Sequence, residues 1–239
     1  MSKYVLVPDS FKGTMTSREI CEIMQHAIER IDSDAKIISV PVADGGEGSV
    51  DAFLSALGGK RKAITVTGPH FEKLSSSYGI TDDGTAVIEM SACAGLPLVY
   101  GKKNPELTTT YGVGELICNA ASSGAKRIVI GLGGSATNDG GCGAAAAAGI
   151  KFYDKSGKSF IPVGKTLKDI ASIDYSGLDS ALSGVSISAM CDVDNPLLGE
   201  TGAANVFGPQ KGANVAMIAR LDAGLKHLAE VSGKAKLAS

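Results

Sequence analysis

The sequence predicts an α/β fold with a mainly parallel sheet. Short apolar runs typical of strands, such as KIISVPV at 36–42 and RIVIG at 127–131, alternate with segments whose apolar residues recur at helical spacing. Several of these runs lead into glycine-rich loops, and 31 of the 239 residues are glycine. Clustered glycine in a globular chain indicates backbone that lies close to another strand or to a ligand.

The elements can be placed in order along the chain. We expect strands at 4–7, 36–42, 62–68, 74–80, 85–91, 127–131 and 185–190, with turns at Gly68-Pro69 and Asp82-Asp83-Gly84. The first two are apolar enough to predict buried strands. Helices are expected from Thr16 or Ser17 to Ile31, at 49–57, at 111–123 after the caps Thr108–Thr110, at 144–148 and at 215–231.

Composition excludes several classes of partner. The net charge is −2 and no face-wide run of Lys or Arg occurs, which argues against nucleic acid or an anionic membrane surface. No apolar stretch approaches the roughly 18 residues of a spanning helix. The five cysteines are scattered and never form a C-x-x-C pair, so we expect reduced thiols and a cytoplasmic protein.

Carboxylates follow the predicted strands at four places. The four loops contain Asp9-Ser10, Asp44-Gly45-Gly46-Glu47, Gly133-Gly134-Ser135 through Asn138-Asp139, and Asp192-Val193-Asp194-Asn195. Ligands of parallel sheets gather beyond the carboxyl ends of the strands. The sequence therefore predicts a site where these loops converge.

The residue types at these loops suit phosphate chemistry. Backbone N–H groups of glycine-rich turns can hold phosphate oxygens, and both Gly131–Ser135 and Asp44–Gly48 offer such turns. Phosphoryl transfer also needs a carboxylate and a cation. Asp9, Asp44, Asp139 and Asp192 are candidates for the first, Lys12 and Lys211 for the second, and Ser10 with Lys12 would suit a small anionic substrate.

Structural interpretations compete with each of these assignments. Asp44 could cap the helix that begins near Ser49, Asp139 could form a turn with its two glycines, and Asp192 could form an Asx turn. Lys12 could simply be solvated. Residues 131–136 also match the dinucleotide pattern G-x-G-x-x-G/A, although the following residues would delay the helix that the pattern requires.

Six motifs together resemble those of the bacterial glycerate kinases that make 2-phosphoglycerate. They are PDSFKG at 8–13, PVADGGEG at 41–48, TTTYGVGELI at 108–117, GGSATNDGGCG at 133–143, CDVDNPL at 191–197 and GPQKGA at 208–213. The resemblance implies ATP and Mg²⁺ as cofactors and D-glycerate as acceptor. It also implies two α/β domains, one flavodoxin/Rossmann-like and discontinuous, with the active site in the cleft between them.

The resemblance guides the assignment of domains and roles. Residues 1–70 would be the N-terminal part of the flavodoxin-like domain and 71–239 the middle α/β domain, while the family's C-terminal portion is absent from this sequence. Asp44 would orient or activate the substrate hydroxyl, Asp192 would share that role or hold Mg²⁺ with Asp44, and Ser10, Lys12, Gly133 and Gly134 would hold anionic groups.

Two other function classes stay open at this stage. One is an NAD(P)-dependent dehydrogenase that uses Gly131–Ala136, and the other is a non-catalytic chain that binds glycerate or nucleotide. The sequence leaves open whether copies associate into a homo-oligomer.

Overall fold

A computed structural model of the chain describes residues 2–11 and 14–233. The strands are β1 (Lys3–Leu6), β2 (Lys36–Ser39), β3 (Lys60–Thr67), β4 (Lys73–Ile80), β5 (Thr85–Glu89), β6 (Arg127–Gly131), β7 (Lys151–Tyr153), β8 (Ser159–Phe160), β9 (Ser172–Asp174) and β10 (Ser186–Met190). The helices are α1 (Ser17–Glu29), α2 (Ser49–Leu57), α3 (Ser91–Ala94), α4 (Tyr111–Ser122), α5 (Cys142–Ala147), α6 (Ala203–Phe207) and α7 (Val215–Val231). This succession of strands and helices confirms the α/β class.

A five-stranded sheet in the order β10-β6-β5-β4-β3 forms the centre of the fold. Its strands β5, β6 and β10 are parallel, whereas β3 pairs antiparallel with β4 and β4 with β5. The expectation of a mainly parallel sheet is therefore wrong for this sheet. Tight turns at residues 68–72 and 81–84 join the antiparallel strands, and turns this short cannot make the crossover that parallel pairing needs.

The larger core lies between this sheet and its helices. Every residue of β5 is buried, and α4 contributes Val113, Leu116 and Ala120 to the same apolar cluster. Helix α2 packs on β4, where a Cβ on Gly79 would lie 2.9 Å from Val50. Burial of β5 on both faces explains why its central residues, 86–88, are apolar without alternation.

A second core forms around the C-terminal helix. Leu221 and Leu225 of α7 are buried with Leu167 from the 3₁₀ segment Gly164–Asp169 and with Phe152 of β7. The Asn214 side chain accepts a hydrogen bond from the Met217 N–H at 2.9 Å and so caps α7. The bounds predicted for this helix are confirmed.

Strands β1 and β2 form a separate parallel pair with a different environment. Helix α1 begins as predicted, since Thr16 and Glu19 form a reciprocal capping box. The prediction that β1 and β2 are buried is wrong, because Val5 of β1 is 57% exposed, Tyr4 is exposed as well, and Ile37 and Ile38 of β2 are only half-buried. Helix α1 contacts both strands, but a two-stranded sheet and one helix bury less apolar surface than the five-stranded sheet does, so apolar residues remain at the surface.

The predicted boundary near residue 70 stays a prediction. Strand β3, which precedes it, pairs with β4 along its whole length, so the five-stranded sheet takes strands from both sides. The five cysteines are free. Among residues 2–11 and 14–233, no helix combines the length and apolarity needed to cross a bilayer.

Candidate active site

Three parallel strands end side by side at one edge of the five-stranded sheet. Glu89, the last residue of β5, is paired with Gly131 of β6, and Gly131 is paired with Met190 of β10. The loop that joins β2 to α2 lies across this row of strand ends. Below, the row and the loop together are called the strand-end site.

Glycines bring the β2–α2 loop into direct contact with the strand ends. Gly45 has φ +92°, and a Cβ there would lie 2.7 Å from the Met190 carbonyl oxygen. A Cβ on Gly131 would lie 2.3 Å from the Gly45 carbonyl oxygen, and one on Gly133 would lie 2.7 Å from the Gly46 Cα. The Gly133 N–H donates to the Gly45 carbonyl at 3.0 Å. Backbone therefore packs on backbone here, which only glycine permits.

The loop after β1 reaches the same region through one buried serine. The Ser17 hydroxyl donates to the Pro8 carbonyl at 2.6 Å and accepts a hydrogen bond from the Val42 N–H at 3.0 Å. Asp9 follows Pro8 and accepts from the Ser10 N–H at 2.7 Å. The structure thus brings the Asp9-Ser10 loop next to the Asp44 loop. Lys12, the predicted cation of this loop, lies outside the described residues.

Asp44 does not cap α2, so that alternative is wrong. The N-cap of α2 is Gly48, with φ 93°, and no side chain of the loop caps the helix. The Asp44 carboxylate instead accepts from the Gly46 N–H at 3.1 Å and is partly buried. Glu47 beside it is exposed.

Glu89 is a site carboxylate that the sequence reasoning missed. Its Oε1 accepts from the Val50 N–H in the first turn of α2 at 2.7 Å, and the residue is only 7% exposed. Burial raises the pKa of this carboxyl, and the hydrogen bond from Val50 opposes that rise. The available signal was an acidic residue that ends the otherwise apolar run TAVI.

The glycine loop after β6 runs from this edge into the interior. Gly134 has φ +72° and is exposed, and its carbonyl accepts from the Leu96 N–H at 2.9 Å. Ser135 forms an isolated bridge with Gly95, and Ala136 donates its N–H to the Ala94 carbonyl at 2.8 Å. Helix α5 begins only at Cys142, as expected from the intervening residues, so the dinucleotide pattern lacks the helix start that it requires.

Asp139 lies in the interior and is fully engaged by the protein. Its Oδ2 accepts from the Thr110 N–H and hydroxyl, both at 2.8 Å, and from the Gly143 N–H at 3.2 Å, while Oδ1 accepts from the Gly141 N–H at 3.1 Å. The turn predicted with its two glycines is therefore confirmed. Burial raises the pKa of Asp139, and these hydrogen bonds oppose the rise.

Thr110 is the N-cap residue of α4, as predicted, but its side chain makes no capping hydrogen bond to that helix. Its hydroxyl instead donates to Asp139 and accepts from the Ala144 N–H at 3.0 Å. The hydroxyl of Thr109 accepts from the Tyr111 N–H at 3.1 Å. The TTT segment thus connects the first turn of α4 with the first turn of α5.

Lys211 and Asn138 complete this buried cluster. The Lys211 Nζ donates to the Thr137 carbonyl at 2.7 Å, and burial lowers the pKa of Lys211 to about 8 while nearby Asp139 acts to raise it. Asn138 is 7% exposed, and its Nδ2 has no partner among the described residues. We call Asn138, Asp139 and Lys211, with Thr110, the buried Asp139 cluster.

The predicted loop after β10 is open to solvent. Asp192 and Asp194 are exposed and directly follow Met190 of the strand-end site. The Asn195 side chain donates to the Thr201 carbonyl at 2.9 Å and so folds the loop back on itself. The structure therefore packs the Asp44 and Gly133 loops on the strand ends. Asp9-Ser10 and Asp192 follow Pro8 and Met190, which contact this region, whereas Asp139 is buried.

Comparison with known proteins identifies the family. The model of the glycerate kinase family matches residues 4–238. The chain belongs to this family. It is 48% identical over 98% of its length to glycerate 2-kinase of Escherichia coli K12, and 47% identical over 98% to glycerate kinase of Bacillus subtilis 168.

A solved structure agrees with the family assignment. A crystal structure from Salmonella typhimurium LT2, assigned provisionally as glycerate kinase 2, superposes with a TM-score of 0.84 and 43% identity over 97% of this chain. That match includes 63% of the Salmonella chain, and the two curated glycerate kinases are each covered over 62% of their length. The chain thus spans about three-fifths of the relatives that it matches.

Proposed function

We propose that this chain carries the strand-end site of an enzyme that uses ATP to phosphorylate D-glycerate to 2-phosphoglycerate. The observation that carries the proposal is the contact of two glycine-rich loops, Asp44–Gly48 and Gly131–Ser135, at the ends of three parallel strands. Glycine-rich turns can offer N–H groups to anions without obstruction by side chains, and the exposed Gly134 is the residue of these loops best placed to do so. Membership of the glycerate kinase family supports the choice of acceptor.

Each predicted residue at or beside the strand-end site has a proposed role. Asp44 orients the acceptor hydroxyl and takes its proton, since it is the partly buried carboxylate at the centre of the edge. Ser10 and Lys12 bind the carboxylate of the hydroxy acid, Asp9 supports that loop, and Glu47 contributes to binding at the rim. Gly45, Gly46 and Gly133 pack the two loops together, since the Gly46 N–H is bonded to Asp44 and the Gly133 N–H to Gly45. Gly134, which is exposed, and Ser135 bind phosphate oxygens through backbone and hydroxyl groups.

The buried Asp139 cluster has a supporting role in this proposal. Asp139 is saturated with internal donors, so its contribution to phosphate binding is to fix the end of the glycine loop. Lys211 supplies positive charge behind that loop, and the unpartnered amide of Asn138 lies beside it in sequence. The cluster acts on the ligand through the loop.

The strand-end site fits a magnesium ion that binds together with the nucleotide. Mg²⁺ in such sites is held by one or two carboxylates together with substrate phosphates. Asp192 lies two residues beyond Met190, against which the Asp44 loop packs, so these two carboxylates would hold the ion. Residues 2–11 and 14–233 contain no cluster of three or more His, Cys, Asp or Glu for a closed metal cage. The ion would neutralise charge on the transferred phosphoryl group.

The two alternative functions lead to different observations. A dehydrogenase would need the helix to start within residues 131–136, and α5 starts at Cys142. A non-catalytic chain would bind glycerate or nucleotide without turnover. We also propose that the protein is cytoplasmic and has no nucleic-acid or membrane partner. Whether copies of it associate into a homo-oligomer stays open.

The test is release of ADP from Mg-ATP by the chain in the presence of D-glycerate. We expect ADP formation that depends on D-glycerate, with a product whose ³¹P spectrum matches 2-phosphoglycerate and not 3-phosphoglycerate. Ligand-induced protection from thermal unfolding without ADP would support the non-catalytic alternative. Formation of NADH or NADPH from the oxidised cofactor and D-glycerate would support a dehydrogenase and contradict the proposal.

A further inference from the structure

Glu89 has no role in the function proposed above, yet it stands in the row of strand ends. It lies beside Gly131 in the sheet and is covered by the first turn of α2. Residues 45, 46 and 48 of the loop before α2 are glycines, and two of them have positive φ. Glycine has the greatest backbone freedom of any residue, so such a loop needs fixed points to keep one geometry.

The loop is fixed at both ends by the sheet. At its start, the Gly45 carbonyl accepts from the Gly133 N–H at 3.0 Å. At its end, the Glu89 carboxylate accepts from the Val50 N–H at 2.7 Å, and the Gly48 backbone also interacts with it. Since Gly48 has no capping side chain, the cap of α2 comes from the sheet.

We propose that Glu89 is a positioning residue, whose carboxylate holds the Gly48–Val50 turn against the sheet and thereby keeps Asp44–Gly48 in the geometry that binds substrate. This inference rests on the proposed function of that loop. Glu89 itself is buried behind α2 and acts through the backbone, so it need not touch the substrate.

Burial works against the charged form of Glu89. Burial is the largest effect on its pKa and raises it, while Arg61 of β3 and Asp51 of α2, which pair at 2.7 Å, act on it with opposite signs. A carboxyl with a raised folded-state pKa stabilises the protein below its unfolded pKa and loses that contribution as pH rises through the folded value. Because burial opposes the charged form, replacing Glu89 by a neutral glutamine is not expected to lower the melting temperature, so a loss of activity in that variant would come from the loop.

The test compares Glu89→Gln with Glu115→Gln. Glu115 is a matched control because it also accepts a backbone N–H, from Thr67, and it lies on α4 away from the loop. The readouts are amide NMR shifts of Gly45–Val50, the melting temperature at neutral pH, and kcat and KM for D-glycerate. The pH titration of the Val50 amide in the unmodified chain follows the Glu89 carboxyl directly.

For Glu89→Gln we expect shifted amides throughout Gly45–Val50, a melting temperature no lower than that of the unmodified chain, and a loss of about 10- to 100-fold in kcat/KM. For Glu115→Gln we expect a lower melting temperature, since Lys73 also loses its partner, with loop amides and kcat/KM unchanged. Unchanged loop amides in Glu89→Gln would overturn the inference. A fall in melting temperature that alone explains the lost activity would also overturn it.

The NMR measurements separate this inference from the proposed function. If the unmodified chain shows no D-glycerate-dependent turnover, that result counts against the proposed activity of this chain. The amide shifts of Gly45–Val50 still decide whether Glu89 positions the loop.

Discussion

Two Asp-Gly-Gly turns in this protein share one hydrogen bond and have different surroundings. In each, Oδ1 of the aspartate accepts the N–H of the second glycine at 3.1 Å, in Asp44-Gly45-Gly46 and in Asp139-Gly140-Gly141. Asp139 is 1% exposed and its other oxygen is saturated by Thr110 and Gly143, whereas Asp44 is partly buried at an open edge. The same tripeptide thus anchors the interior in one place and lines the proposed active site in the other.

The largest expected effect is on stability, from Asp139→Ala. This change leaves the buried donors of Thr110 and Gly143 without an acceptor and removes the negative charge beside Lys211. Breaking a buried ionic group in this way costs about 3–5 kcal/mol in free energy of unfolding. Urea unfolding of the purified variant measures it, and a loss below about 1 kcal/mol would contradict the description of Asp139 as an anchor.

The second effect is a pH dependence of stability that comes from Lys211. Its pKa is lowered from 10.5 to about 8, so between these values the unfolded chain holds more protons than the folded chain. The free energy of unfolding should therefore rise with pH across this window, by up to roughly 3 kcal/mol. Lys211→Met should lack that rise. If the free energy of unfolding of Lys211→Met rises with pH as steeply as that of the unmodified chain, Lys211 does not titrate in this window.

The third effect concerns the packing of the Asp44 turn on the sheet. A methyl group at Gly131 would lie 2.3 Å from the Gly45 carbonyl oxygen, so Gly131→Ala should cost about 1–3 kcal/mol and displace the loop. The control is Gly84→Ala, where a Cβ meets nothing within 4 Å and only the positive φ is strained. Equal losses in the two variants, measured by urea unfolding, would mean that the close approach at Gly131 is relaxed in solution.

The smallest effect should come from Asp44→Ala. Because Asp44 is only partly buried at an open edge, we expect a change of about 1 kcal/mol or less in the free energy of unfolding. A loss as large as that of Asp139→Ala, in the same urea experiment, would remove the distinction between the two turns.

Local signals in the sequence were sufficient for the longer helices and for most strands, whereas the short elements α3, α6 and β7–β9 were not predicted. The bounds of α2 and α7 agree with the prediction, since Gly58-Gly59 ends the first and Asn214 caps the second. Turn residues also located β3, β4 and β5 to within a few positions. Sequence motifs identified the family, which the comparisons confirm.

Hydrogen bonds between residues that are far apart in the chain could not be predicted from the sequence. The bond from Val50 to Glu89 joins positions 39 apart, and those from Thr110 to Asp139 join positions 29 apart. The role of each carboxylate depends on such bonds, so Asp44 and Asp139 looked alike in the sequence and Glu89 was overlooked. The exposure of β1 and β2 likewise depends on what covers a sheet, which an apolar run does not specify.

The most direct test of the central claim is D-glycerate-dependent ADP release by Asp44→Asn, compared with ADP release by the unmodified chain. The comparison requires that the two proteins have equal melting temperatures. If Asp44 takes the proton of the acceptor hydroxyl, the variant should lose about 100-fold or more in kcat while its melting temperature is retained. A well-folded Asp44→Asn variant with full turnover would contradict the account, because the open Asp-Gly-Gly turn would then have no part in the chemistry.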